Sequence, residues 1–331
     1  RAVFPTTARG QCTSAALATL RAHVCRRLGL ADTWRSFVDP VPGATEVWAL
    51  LLDADPTATK PHWETWPWPE QARTLEAASG ERVLLVGNSL LIDGVQVDLL
   101  KAKMADVSPG VVLDSVAFHG SETAEWYWIL RHYFWTGGKK IDRLVLVVND
   151  RMVSDTMSRR IRRLASISRG ADITAVVEEE LSGLEEIGSF LHAWLFESFA
   201  GRKRMQLVVL ERFLPHYKAM ETEVNRRLAA NPRSKPSRSS ESHFPCERFS
   251  RLLAAAARME IPTAVVFMPA REPYEIPPSV LEAMAEYHAT LMDCREVPGM
   301  GADDFADDVH LTGQGAKILT LSLATQLQSW L

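Results

Sequence analysis

The chain has 331 residues, of which 47% are apolar and 24% are charged, and its formal net charge is −4. This composition is typical of a folded globular protein and excludes a chain that is disordered throughout. The small negative charge gives no reason to expect nucleic acid as a partner. No uninterrupted apolar run approaches the roughly 18 residues that a membrane span requires.

The first residue is Arg1 rather than Met, so we expect a processed product or a fragment whose upstream residues could hold a leader or an anchor. The four cysteines show neither C-x-x-C spacing nor a nearby pair of histidines, which predicts no zinc site. A Cys12–Cys25 pair in an oxidising compartment and four reduced thiols in the cytosol both remain open. The other two cysteines are Cys246 and Cys294.

Residues 1–80 do not resemble the rest of the chain and are interpreted as an N-terminal extension or cap. Apolar spacing predicts a helix from about Ser14 to Leu28. Half of the ten tryptophans fall between Trp34 and Trp68, in a segment whose prolines forbid a regular element. Such aromatic residues can line a carbohydrate or acyl site, but covering the core beneath a long loop is the favoured interpretation.

From Arg82 onward, short apolar runs alternate with helical patterns, which predicts an α/β fold with a parallel, doubly wound sheet. The segments between the early runs are long enough for crossover helices, predicted at Val95–Met104 and Ala124–Phe134. The predicted strands are Arg82–Val86, Val111–Ala117, Arg143–Val148, Thr263–Met268 and Thr290–Asp293.

A helical insertion is predicted between the third and fourth strands, at about residues 155–255. Two basic clusters in it, Arg159–Arg163 and Arg202–Arg204, could dock a polyanionic glycan or an anionic membrane. A solvated helix surface balanced by Glu178–Glu180 explains the same pattern at least as well. Residues 231–243 are rich in proline and serine and are interpreted as a mobile loop. The predicted helices are Thr156–Leu164, Thr174–Ala200 and Met205–Ala230.

The first strand is followed directly by Gly87, Asn88 and Ser89. Open α/β sheets bind ligands at the carboxyl ends of their strands, so the Ser89 hydroxyl is placed where a nucleophile would act. A helix expected to begin just after it would add N–H donors and a positive dipole end. A glycine turn followed by a serine N-cap is the alternative interpretation.

Near the C-terminus, an acidic loop with His310 precedes a final helix, predicted at Gly313–Leu331 with Thr312 as its cap. A neutral imidazole can take the proton from a serine hydroxyl and return it to a leaving group, so His310 is the candidate base for Ser89. Asp307 is the candidate for the carboxylate that orients this ring, with Asp308 or Asp304 as alternatives. A solvent-facing loop histidine is the other interpretation.

Two further residues follow predicted strands that neighbour the first. Gly120 could present a backbone N–H, and Asn149 a side-chain amide, to a developing oxyanion. A turn glycine and an Asx-turn asparagine are the alternatives.

Taken in chain order, Ser89, Gly120, Asn149 and the Asp307-x-x-His310 pair resemble the motif blocks of the SGNH, or GDSL-type, serine hydrolase superfamily. The resemblance covers roughly residues 80–155 and 260–331. Two positions depart from the pattern, because Asn88 replaces the commoner aspartate and Val147 the frequent glycine.

This resemblance implies a flavodoxin-like three-layer α/β/α sandwich with a five-stranded parallel sheet. It also implies a Ser89–His310–Asp307 triad and an oxyanion hole formed by the Ser89 N–H, the Gly120 N–H and the Asn149 amide. No metal or cofactor is implied.

The order of extension, sandwich and insertion is similar to the layout of extracytoplasmic SGNH-like proteins that work with membrane-bound O-acyltransferases, in alginate O-acetylation and D-alanyl transfer. That likeness implies an acyl ester substrate on a carbohydrate or cell-envelope glycan, and a location outside the cytoplasm. Hydrolysis and transfer share an acyl-Ser89 intermediate and both stay open. A non-catalytic accessory protein, a lipid esterase using the apolar Leu191–Phe199 face, and a cytoplasmic location also remain open.

Overall fold

The computed structural model describes residues 67–155, 161–168, 173–195 and 244–331. Five strands form one sheet in the order β2-β1-β3-β4-β5, and every neighbouring pair is parallel. This is the flavodoxin-like order, in which the chain winds outward in both directions from β1 and β3. The predicted α/β fold with a five-stranded parallel sheet is confirmed. The strands are β1 (Glu81–Gly87), β2 (Val111–Ala117), β3 (Arg143–Val148), β4 (Thr263–Phe267) and β5 (Thr290–Asp293).

The central strands are buried on both faces, as a parallel sheet between two helical layers requires. All five residues of β4 are buried, as are the last five of both β1 and β3. Apolar runs of this kind are a direct sequence signal for such strands, which explains why the predicted bounds agree with the structure to within one residue.

One face of the sheet is covered by three helices: α2 (Ser89–Gly94), α3 (Val97–Val107) and α10 (Gly313–Trp330). Alternate β1 residues, Val83 and Leu85, meet the α3 side chain of Leu100 and the α10 side chain of Leu319 in a fully buried cluster. Helix α2 follows the first strand, and α10 is the last element of the chain. This layer therefore brings an early part and the last part of the chain together on one face of the sheet.

The opposite face carries the larger core. Its β1 residues are Leu84 and Val86, and its largest buried side chains include Trp126, Trp128 and Phe249. The helices on this face are α1 (Trp68–Ala77), α4 (Thr123–Ile129) continued by a π-helical turn (Leu130–Phe134), α5 (Ile161–Ile167), α6 (Ile173–Glu180), α7 (Leu184–Leu195), α8 (Glu247–Arg258) and α9 (Pro278–Glu286).

Several predicted helices differ from the structure in their bounds. The helix predicted at Val95–Met104 is α3, and the one predicted at Ala124–Phe134 changes from α to π geometry at Leu130. The single helix predicted at Thr174–Ala200 was wrong, because α6 ends at Glu180 and α7 begins at Leu184. Gly183, which lies between them, has a φ of 91°, a backbone conformation that interrupts a right-handed helix. Helices α1, α8 and α9 were not predicted.

Other predictions fall outside the described residues: the Ser14–Leu28 and Met205–Ala230 helices, the Cys12–Cys25 pair, the Arg202–Arg204 cluster and the 231–243 loop. The division at residue 80 stays a prediction. Helix α1 precedes residue 80 in the sequence but packs against the sheet domain, with Trp68 and Leu75 buried in the larger core. Cys246 and Cys294 are buried free thiols. Among the described helices, none combines the length and apolarity needed to cross a bilayer.

Candidate active site

The Ser89 side chain lies at the carboxyl edge of the sheet, where β1 ends and the order of strands reverses. Ser89 is the first residue of α2, so its backbone N–H has no acceptor within that helix. Asn88 caps the helix, its side-chain oxygen accepting a hydrogen bond from Leu90 N at 2.9 Å. The predicted helix start directly after β1 is confirmed. A hydroxyl and an N–H donor that has no acceptor within its own helix therefore lie next to each other at the position where α/β sheets bind ligands.

Ser89, His310 and Asp307 form one hydrogen-bonded chain across 221 residues of sequence separation. The His310 Nε2 atom is 2.9 Å from Ser89 Oγ, and its Nδ1 atom is 2.7 Å from Asp307 Oδ2. Both distances lie within hydrogen-bonding range, so this chain of side chains, called here the Ser89–His310–Asp307 relay, needs no rearrangement to form. With its proton on Nδ1, the imidazole presents a lone pair on Nε2 that can take the serine proton.

The Asp307 carboxylate is held in its ionised form by local hydrogen bonds. Burial raises the pKa of this carboxyl, but the bonds that it accepts from His310 and Val309 outweigh burial and leave the pKa below its ordinary value. Its Oδ1 atom accepts from the backbone N–H groups of Val309 and His310, each at 2.8 Å. The side chain is nevertheless 53% exposed, so water weakens its electrostatic effect on the imidazole.

Backbone contacts hold the loop that carries His310 against the start of α10. Ala306 N donates to His310 O at 2.8 Å, and Thr312 N donates to Asp304 O at 2.8 Å. A Cβ atom on Gly315, in the first turn of α10, would lie 2.3 Å from the same Asp304 oxygen. Only glycine allows this close approach, which seats the loop on the helix.

Asn149 follows β3, next to β1 in the sheet, and its amide is oriented by its own backbone turn. The side chain is 4% exposed, and its oxygen accepts hydrogen bonds from the N–H groups of Arg151 and Met152, both at 3.1 Å. Within the described ranges, the Nδ2 group makes no hydrogen bond to protein. An amide fixed through its oxygen and free at its nitrogen is suited to donate to an oxyanion.

The loop after β2 carries Gly120 and is tied to the ends of β1 and β3. Ser121 Oγ donates to Gly87 O at 2.9 Å and accepts from Trp126 Nε1 at 2.8 Å. Thr123 Oγ1 donates to Met152 O at 2.6 Å. These tethers were not predicted, because they join residues about 30 positions apart whose pairing depends on the order of strands.

Asn88 performs a function that the commoner aspartate could not. While its oxygen caps α2, its Nδ2 group donates to Ser121 O at 3.4 Å and lies 2.6 Å from Met152 Sδ. An aspartate carboxylate could accept the cap hydrogen bond but has no N–H to donate. The asparagine therefore links the ends of three strands beside Ser89.

A shallow groove with a volume of about 510 Å³ adjoins the His310 loop at the same edge of the sheet. Its walls include Phe305 and residues 269–271 and 295–298, which follow β4 and β5. Arg271 N donates to Asp308 O at 2.9 Å, which fixes the groove against this loop.

Asp304 and the charged clusters of the predicted insertion, which the sequence also offered as candidates, do not join the relay. Asp304 Oδ2 accepts from Gly301 N at 2.8 Å, and Asp307, rather than Asp304, meets the His310 ring. Of the basic cluster 159–163, the structure describes the side chain of Arg163, which is partly buried and pairs with Glu125. In the acidic run, Glu180 is fully buried and pairs with Arg251 of α8, so it is not part of a solvated surface.

No protein-family model matches the chain. A search of curated proteins likewise found no match. Among solved structures, the chain is similar to a lipase/acylhydrolase from Enterococcus faecalis, at 13% identity over 75% of this chain and 96% of that one, with a TM-score of 0.37. It is also similar to an acetylxylan esterase from Geobacillus stearothermophilus, at 11% identity, coverages of 76% and 95%, and a TM-score of 0.39.

Proposed function

We propose that the protein is a serine-dependent carboxylic ester hydrolase or O-acyltransferase of the SGNH type, acting through an acyl-Ser89 intermediate. The observation that carries this proposal is the chain Ser89 Oγ–His310 Nε2, His310 Nδ1–Asp307 Oδ2, at 2.9 and 2.7 Å. It lies at the end of β1, whose neighbour in the sheet, β3, is followed directly by Asn149. Nucleophile, base and orienting acid are thus in contact in one hydrogen-bonded line.

In the first half-reaction, Ser89 Oγ attacks the ester carbonyl carbon while its proton passes to His310 Nε2. Negative charge develops on the former carbonyl oxygen, and the proposed donors to it are the Ser89 N–H, the Gly120 N–H and Asn149 Nδ2. Collapse of this intermediate breaks the bond to the alcohol oxygen, which takes the proton from His310. The acyl group remains on Ser89, and the imidazole is neutral again.

In the second half-reaction, His310 activates the group that removes the acyl chain. Water as this group gives an acid product, whereas a sugar hydroxyl gives a new ester and makes the protein a transferase. We propose a carbohydrate or cell-envelope glycan as the substrate, a membrane-bound O-acyltransferase as partner and an extracytoplasmic location. The layout resemblance supports all three of these proposals. The groove of about 510 Å³ that adjoins the loop carrying His310 supports the first.

Acyl-enzyme formation tests the central proposal. The protein is mixed with p-nitrophenyl acetate, and the initial burst of p-nitrophenol is compared between the native chain and Ser89→Ala. Ser329→Ala, on an exposed turn of α10, serves as the matched control. We expect a burst in the native and control proteins, none in Ser89→Ala, and an acetyl group on the peptide containing Ser89 by mass spectrometry.

Equal release by native protein and Ser89→Ala would overturn the enzyme proposal and favour a non-catalytic accessory protein. A second assay separates hydrolysis from transfer by adding acetylated and unacetylated oligosaccharides to the acetyl-enzyme. Acetyl recovered on sugar identifies a transferase, and acetate identifies an esterase. A strong preference for long-chain p-nitrophenyl esters over acetate would instead favour a lipid esterase.

A further inference from the structure

Arg163 contacts the Gly120 loop from α5, which packs on the face of the sheet opposite to α2, the helix that begins at Ser89. It lies on α5, and its Nη1 group donates to His119 O at 3.1 Å. Its Nε atom is 3.5 Å from Glu125 Oε1, and its guanidinium carbon is 5.2 Å from the centre of the Phe118 ring. One side chain therefore holds residues on both sides of Gly120.

The Gly120 loop is a β-turn whose central peptide has two possible orientations. Ser121 N donates to Phe118 O at 3.1 Å, which places His119 and Gly120 at the two central positions. Gly120 has a φ of 62°, while His119 keeps a negative φ, a combination that defines a type II turn. In a type I turn the His119–Gly120 peptide is turned over and its N–H group faces the other way.

The bond from Arg163 fixes which way this peptide faces. In a trans peptide the C=O and N–H groups point in opposite directions. Holding the His119 carbonyl on the α5 side therefore holds the Gly120 N–H on the other side. Because the donor is a cation, it also polarises the peptide unit and makes its N–H a stronger donor.

Burial of Glu125 keeps the guanidinium in place. This residue is 2% exposed, and its other carboxylate oxygen accepts from Glu122 N at 3.1 Å, closing the capping box of α4. Removing Arg163 would leave a buried carboxylate without that compensating cation, which proteins tolerate poorly. The turn, the helix cap and the arginine are thus one connected unit.

We propose that Arg163 is a positioning residue for the oxyanion site, holding the His119–Gly120 peptide so that the Gly120 N–H faces an ester carbonyl bound at Ser89. This inference rests on the proposed function and adds to it a residue from the region after β3, outside the segments that resemble the SGNH superfamily. Arg163 itself does not touch the substrate.

The test compares three full-length variants with native protein: Arg163→Ala, Arg163→Lys and Arg131→Ala. Arg131 is the matched control because it too pairs with a carboxylate, Glu179 at 2.9 Å, and lies over an aromatic ring, without contacting the turn. With p-nitrophenyl acetate we expect Arg163→Ala to lower kcat about 10- to 100-fold with KM within about threefold, somewhat less than removal of a whole oxyanion donor. Arg131→Ala should stay within about threefold of native kcat.

Arg163→Lys covers the case in which Arg163→Ala fails to fold. A single ammonium can neutralise Glu125 but cannot also bond His119 O and lie flat on Phe118, so kcat should fall about 3- to 10-fold. An unchanged kcat in the folded Arg163 variants, or an equal loss in Arg131→Ala, would overturn the inference.

Hydrogen exchange gives a readout that does not need activity. We expect amide exchange in residues 118–123 to be about tenfold faster in the Arg163 variants, and unchanged in Arg131→Ala. If native protein and Ser89→Ala were equally inactive, the proposed function would fail while this measurement still decided the role of Arg163 in holding the turn. Unaltered exchange in the Arg163 variants would show that the arginine does not hold it.

Discussion

Replacing Asp307 by asparagine should lower turnover while preserving the loop. The asparagine oxygen can still accept the N–H groups of Val309 and His310 that now bond Asp307 Oδ1 at 2.8 Å. Its NH₂ group would then face His310 Nδ1, where the carboxylate now lies at 2.7 Å. A donor at that position favours the imidazole tautomer with its proton on Nε2, which cannot accept the proton of Ser89.

The size of the effect follows from the exposure of the carboxylate. Two unit charges about 4 Å apart interact by about 4 kcal/mol near a protein surface and by about 1 kcal/mol in water. The Asp307 side chain is 53% exposed, so its interaction energy with the imidazolium should lie between these two limits. With the cost of the wrong tautomer added, we expect kcat to fall about 10²- to 10³-fold, less than the roughly 10⁴-fold loss known for a buried triad aspartate.

The assay is steady-state hydrolysis of p-nitrophenyl acetate across pH, with Asp308→Asn as the matched control on the adjacent position. Asp308→Asn should stay within about threefold of native kcat. A nearly silent Asp307→Asn, or an equal loss in Asp308→Asn, would refute this assignment of the orienting acid.

Asn149→Ala should lower kcat about 10²- to 10³-fold with little change in KM, the effect of losing one oxyanion donor, and a loss below threefold would contradict that role. Gly87→Ala should lower the melting temperature, because a Cβ there would lie 2.7 Å from Leu91 Cβ, and overpacking of this kind costs about 1–3 kcal/mol. Asp142→Asn should destabilise the fold by about 1–2 kcal/mol at pH 7, after allowance for solvent screening, because the hydrogen bonds from Arg82 lower the pKa of Asp142 from 3.8 to about 2. That stabilisation is present above pH 3.8 and is lost as the pH falls through about 2. Urea unfolding at pH 7 and at about pH 2 should therefore show a lower stability of Asp142→Asn than of native protein at pH 7 only.

The sheet and the relay could be predicted from sequence because their signals are local. Strands buried on both faces are continuous apolar runs, and most residues of β1, β3 and β4 are apolar. Likewise, Asp307 and His310 are only three positions apart, so a tight loop brings the carboxylate to the ring. In a parallel sheet all carboxyl ends share one edge, which places Ser89 and Asn149 together once the strands are known.

Features that depend on distant contacts could not be predicted. Ser121 joins Gly87 across 34 positions, and Arg163 joins His119 across 44, so neither pairing has a spacing that a pattern could reveal. The isolated basic cluster at 159–163 was therefore interpreted as a surface. Helix α8 was missed for another reason: it was counted within the predicted insertion, although it leads directly into β4.

More than a hundred residues separate the end of β3 at Val148 from the start of β4 at Thr263, although the two strands are hydrogen-bonded neighbours. The entropy of closing a loop grows only with the logarithm of its length, so this crossover costs about 1 kcal/mol more than one of thirty residues. Chain-closure entropy therefore adds little to the cost of this long connection, whose helices α5 to α8 bury apolar side chains in the larger core. Changes in length are therefore tolerated best between those packed helices rather than within them.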